Sequence, residues 1–122
     1  MKNPRVNIIG HPDNPCYPVD FDALARAARD HHVLLELNNS SYRPGGSRQG
    51  SWEKGKELLA ACKQYGATVI LDIGTTTLQL ARLLRGRQLT VITTNIAAFD
   101  ALRDDGDVHI ILLPGDFDPV YQ

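Results

Sequence analysis

The chain has little with which to staple itself, cross a membrane or grip a polyanion. Its 122 residues include two cysteines, Cys16 and Cys62, far apart and in no CxxC pair or zinc-ligand spacing. A disulfide framework and a zinc module are therefore not expected. No apolar run approaches the ~20 residues of a membrane-spanning helix. The opening Met1-Lys2-Asn3-Pro4 lacks the apolar region of a secretion signal. A reducing, cytoplasmic setting is the expectation. The net charge is −1, and the basic residues are interleaved with acids. Such a balance offers no basic face, so neither nucleic acid nor an acidic membrane surface is an expected partner. The four histidines form no H-x-x-x-H pair, and there is no internal repeat or low-complexity tract.

What is present is a core and a rhythm. Hydrophobic residues make up 43% of the chain, enough for one folded domain over residues 1–122. Five short apolar runs, Val6–Ile9, Val33–Leu37, Thr68–Ile73, Leu89–Thr93 and Val108–Leu113, alternate with four helical patterns. The runs are rich in β-branched residues and nearly continuous in apolarity, the pattern of parallel strands buried on both faces. The helices are expected over Asp20–His31, Ser51–Tyr65, Thr76–Leu84 and Ile96–Arg103. Asp20 and Ser51 read as N-caps and Gly66 as a stop. Leu80, Leu83 and Leu84 read as the inward side of the third helix. Cys62, inside an apolar helical stretch, reads as a buried thiol, and Cys16, in a Pro-rich loop, as a free one. The loop 43–50 between the second strand and the second helix reads as a long surface connection. The fold class is α/β: a single domain of five mainly parallel strands alternating with four helices, flavodoxin-like or half-barrel-like.

Two strings carry chemistry in the first half. They are Val6-Asn7-Ile8-Ile9-Gly10-His11-Pro12-Asp13-Asn14-Pro15 and Leu35-Glu36-Leu37-Asn38-Asn39-Ser40-Ser41. Over roughly residues 4–70 the chain resembles the polymerase-and-histidinol-phosphatase family of metal phosphoesterases, whose distorted barrels hold a three-metal cluster at the strand ends. The resemblance implies that His11 stands at the position of one metal ligand. The family's His-x-His pair is absent. The sequence Leu71-Asp72-Ile73-Gly74-Thr75 has no histidine where a late Asp-x-His motif belongs. A metal site needs three or four placed ligands, so His11 reads as vestigial and no metal, cofactor or catalytic residue is expected. Glu36, a carboxylate within an apolar strand, needs a basic partner or a wet face. His31 and His32 read as a helix terminus, and His109 as a packed or edge residue.

The second half carries another string: Val69-Ile70-Leu71-Asp72-Ile73-Gly74-Thr75-Thr76-Thr77, then Thr93-Thr94-Asn95, then Leu112-Leu113-Pro114-Gly115. A strand ending in Gly74 and a helix opening on threonines present unpaired backbone N–H groups at the positive end of a helix dipole. Simple capping by threonine explains the same residues equally well. From about residue 69 to 119 the text is similar to the effector-binding domain of DeoR-type sugar-phosphate-responsive repressors. The resemblance implies phosphate contacts from Gly74, Thr75, Thr76, Thr77, Thr94 and Asn95. The DNA-binding domain of such repressors has no counterpart here.

Two resemblances meeting in the strand Ala67–Ile73 suggest an engineered or recombined chimera of fragments 1–69 and 70–122, a scaffold with no evolved activity. The alternatives are a weak phosphate or sugar-phosphate binding module, and a residual metal-dependent phosphatase. The strand order stays open. Stepping in one direction leaves one sheet face bare and favours a homodimer or a segment-swapped dimer. The order 2-1-3-4-5 covers both faces.

Overall fold

The computed structural model describes residues 3–42, 44–72 and 74–114. The chain runs β1 (Ile8–Ile9), α1 (Phe21–His31), β2 (Leu34–Leu37), a 3-10 turn (Asn39–Tyr42), α2 (Ser51–Tyr65), β3 (Val69–Leu71), α3 (Thr75–Leu83), β4 (Leu89–Thr93), α4 (Ile96–Leu102) and β5 (Val108–Leu112). The five strands form one parallel sheet in the order β1-β2-β3-β4-β5. This is the α/β fold read from the sequence, in its half-barrel-like form rather than the flavodoxin-like one.

Successive right-handed crossovers in one direction put all four helices on one side. Their buried residues meet a single core: Ala25 and Ala28 from α1, Leu58, Leu59 and Cys62 from α2, Leu80 and Ala81 from α3, and Ala98 and Leu102 from α4. The strands offer alternate residues to that core. Leu35, Val69 and Val91 lie in one row, and Leu37, Leu71 and Thr93 in the next. The residues between them face the other way and are only partly covered: Leu34, Glu36, Ile70, Thr90 and Ile92. The expectation of strands buried on both faces is thus corrected. The apolar continuity of the runs does not mean a helix on each side.

Local chemistry fixes the helix ends. Asp20 caps α1 by accepting the Ala23 N–H at 3.0 Å. The helix closes on His32, a non-glycine residue at φ 55°, whose N–H returns to the carbonyls of Ala28 and Arg29. Gly66, at φ 74°, ends α2 as read. Ser51 is not the α2 N-cap. Gly50, at φ 90°, takes the capping position, and Ser51 enters the helix as its first residue, buried. Leu83 is 46% exposed, because the inward stripe of α3 runs through Leu80, Ala81 and Leu84. Cys62 is buried and its thiol pKa is pushed up to about 12 by desolvation, whereas Cys16 is exposed; both are free thiols. Among the described residues no helix is long and apolar enough to cross a membrane.

Candidate functional site

In open parallel sheets, ligands bind beyond the C-terminal ends of the strands, where loops lead into helices. Two groups of residues meet at that edge.

The first lies beyond β3 and β4. Gly74 is the N-cap of α3 at φ 149°, ψ 167°, a conformation essentially confined to glycine. A Cβ there would fall inside the amide group of Asn39, which comes from the 3-10 turn of a different βα unit. Gly74, as the N-cap, lends no side chain of its own to the first turn of α3. The neighbouring α4 is capped: Asn95 Oδ1 accepts the N–H groups of Ala97 and Ala98 at 3.0 and 3.2 Å. Asn95 also donates from Nδ2 to the Gly74 carbonyl at 3.3 Å, tying the end of β4 to the turn before α3. Thr77 is fully buried, with its hydroxyl 2.7 Å from the Asp72 carbonyl and 2.9 Å from that of Gly74. Thr93 donates to the Leu71 carbonyl at 3.1 Å and accepts from the Asn95 N–H at 3.0 Å.

The phosphate-contacting set read from the sequence is therefore divided by the fold. Gly74, Thr77 and Asn95 converge at the strand ends, but the Thr77 and Asn95 side chains hold the turn in place. Thr94 is exposed. Thr75 and Thr76 open α3 with their backbone N–H groups, and their side chains lie outside the described residues. Ile73, Arg43 and Gly115 also lie outside them.

The second group lies beyond β1 and β2. His11, at φ 48°, places Nδ1 3.3 Å from Glu36 Oε2, and Asn38 donates to Glu36 Oε1 at 3.3 Å. Glu36 thus has a histidine beside it and a hydrogen bond from Asn38, though His11 Nδ1 itself makes no hydrogen bond. Asp13 is fully buried and accepts a short hydrogen bond from the Tyr42 hydroxyl. Burial raises the Asp13 carboxyl pKa, against the lowering effect of the Tyr42 bond. Burial and the Asp13 charge drive the Tyr42 phenol upward. The second Asp13 oxygen and the Ser51 hydroxyl are buried without a hydrogen-bond partner. Gly55 lets Tyr42 and Asp13 close on α2, since a Cβ there would sit 3.0 Å from the Tyr42 hydroxyl. Arg48 donates to Ser41 at 3.0 Å. Among the described residues no group of three or more His, Cys, Asp or Glu side chains is placed to hold a metal ion. The described residues do not supply the cluster that the phosphoesterase resemblance would imply.

Sequence reasoning missed Asn39, Asp13 and Tyr42 as site-building residues. The Asn-Asn-Ser-Ser string marked the neighbourhood, but nothing local reveals that Asn39 packs on Gly74.

Fold and edge together define a sequentially ordered parallel sheet covered by helices on one side, with a glycine-started helix at its strand ends. The chain belongs to the DeoR C-terminal sensor domain family, whose match covers residues 56–122. It is also similar to proteins named as probable phosphatases. One from Clostridium acetobutylicum is 46% identical over 71 residues, covering 58% of this chain and 28% of the relative. One from Clostridium novyi is 42% identical over 71 residues, with the same coverage. One from Shewanella sp. (strain ANA-3) is 44% identical over 71 residues, covering 58% of this chain and 27% of the relative. The chain therefore spans less than a third of the length of these curated relatives. No solved structure matches it. The DeoR-type resemblance read from the sequence stands, and the phosphoesterase resemblance stands in its coarser form, as similarity to proteins named probable phosphatases. The reading of an engineered or recombined chimera, designed de novo and without evolved activity, does not. Membership of a natural family and identity of this degree to natural proteins overturn it.

Proposed function

We propose that this protein binds a phosphorylated small molecule, a sugar phosphate or phosphate itself, with the phosphate at the N-terminus of α3. The observation that carries this is the contrast between adjacent helices on one sheet edge. The first turn of α4 is closed by the side chain of its own N-cap, Asn95, while the N-cap of α3 is a glycine with no side chain to offer. The outward-pointing N–H groups of a first helical turn and the positive helix end favour an anion there. Thr77, Thr93 and Asn95 act as positioning residues that fix the turn through backbone carbonyls. Thr94, exposed beside it, is a candidate contact. Membership of a sensor family supports binding rather than turnover, and the name of the relatives supports a phosphate ester as the ligand.

Isothermal titration with inorganic phosphate and simple sugar phosphates tests the reading. Saturable heat is expected. Thr75→Pro removes one N–H donor at a helix position that tolerates proline, and is expected to weaken binding by about tenfold. Absence of heat at millimolar ligand removes the proposal.

A second reading, hydrolysis of a phosphoester, draws on the name of the relatives and on the His11–Glu36 pair at the same edge. Turnover of a generic phosphoester that is abolished by His11→Ala would carry it; no turnover in the purified protein removes it.

A further inference from the structure

The sheet face opposite the helices is a surface with its own composition. Register places Ile8 beside Leu34, and Glu36, Ile70, Ile92 and Ile111 in one row across four strands. Ile8 is 50% and Ile111 40% exposed. No lysine or arginine lies among the strand residues of this face, although 13 occur in the chain. A sheet face made to meet water usually alternates with charged and polar side chains. The one carboxylate within the row, Glu36, already has Asn38 on one oxygen and His11 on the other.

We infer that this bare face is the contact between two copies of the chain, packed sheet against sheet about a twofold axis. Five strands about 4.8 Å apart and three side-chain rows about 6.7 Å apart outline roughly 500 Å² in projection. Two such faces together remove about 1,000 Å² from water, the size at which specific interfaces begin. A twofold contact needs a patch complementary to itself, and a row of three isoleucines meets that need without directional partners. The ends of the face are more polar, with Thr68, Thr90 and His109 at the N-terminal end and Asp72 at the C-terminal end. They form the wet rim that such interfaces carry.

Sedimentation equilibrium from low to high micromolar concentration is the test, paired with isoleucine-methyl NMR on dilution. The expected result is a reversible dimer of 13.5 kDa chains. The methyls of Ile8, Ile70, Ile92 and Ile111 should shift with concentration, while that of Ile96, 58% exposed on the helix side, should not. Ile111→Lys, a change on the edge strand, should lower the association constant at least about tenfold. A single-chain mass at every concentration overturns the inference and assigns the face to some other cover. So does a dimer in which Ile96 shifts and the sheet methyls stay still. The wild-type measurements decide the matter even if the variant misfolds.

Discussion

The two strand-end regions of this molecule solve the same problem in opposite ways. Beyond β1 and β2, side chains satisfy side chains: His11 faces Glu36, Asn38 holds Glu36, and Tyr42 donates to Asp13. Beyond β3 and β4, side chains satisfy backbone: Thr77, Thr93 and Asn95 bond to carbonyls and N–H groups. The first arrangement uses its functional groups on one another. The second spends its side chains on holding a turn, and starts α3 from a glycine that has no side chain to cap it.

The largest expected effect probes where the two regions touch. Gly74→Ala places a Cβ against Asn39 in a conformation reserved for glycine, and should cost about 3 kcal/mol in urea unfolding. Asn39→Gly on that background should recover part of the loss; no recovery would mean that backbone conformation, not the contact, sets the cost. Tyr42→Phe should cost about 2 kcal/mol at neutral pH, because it removes the donor to a buried carboxylate. The sign with pH follows from the raised Asp13 pKa. The folded protein holds the Asp13 proton to a higher pH than the unfolded chain, so stability declines as pH rises from about 4 through the folded pKa. Without Tyr42 that decline extends further. The gap between wild type and Tyr42→Phe should therefore be widest near neutral pH and narrow toward pH 4. Asn95→Ala should cost about 1 to 2 kcal/mol through the lost cap of α4, and should also weaken phosphate binding at α3 if the turn is held from β4. Ser51→Ala should change stability by less than about 0.5 kcal/mol in either direction, since the hydroxyl it removes is buried without a partner. A large loss there would show that Ser51 is engaged after all, and would blur the contrast between the regions.

The alternation of strands and helices was legible because each element signals locally. Leu89–Thr93 and Ser51–Tyr65 match their expected bounds, since period and terminators are properties of neighbouring residues. Strand order was not legible: apolar runs of this kind suit either a covered or a bare face, and only register shows that Ile70 and Ile92 point away from the core. Within the site, Gly74 was legible as a turn before a helix. The inward use of Thr77 was not, because a threonine in the first turn reads the same whether its hydroxyl points to a ligand or back to a carbonyl. The Asp13–Tyr42 bond joins residues from different βα units, and no short-range pattern encodes such a pairing.

Each strand of this sheet is hydrogen-bonded only to strands adjacent to it in sequence. No long excursion of the chain must be closed before a late contact can reward it. Such a ladder favours stepwise assembly in which any one β-α-β unit can nucleate and its neighbours add on. The two-residue β1 should be the first rung to open on warming, and hydrogen exchange at Leu34, whose N–H reaches the Asn7 carbonyl, should outpace that of Leu35, bonded to Thr68 on the interior side.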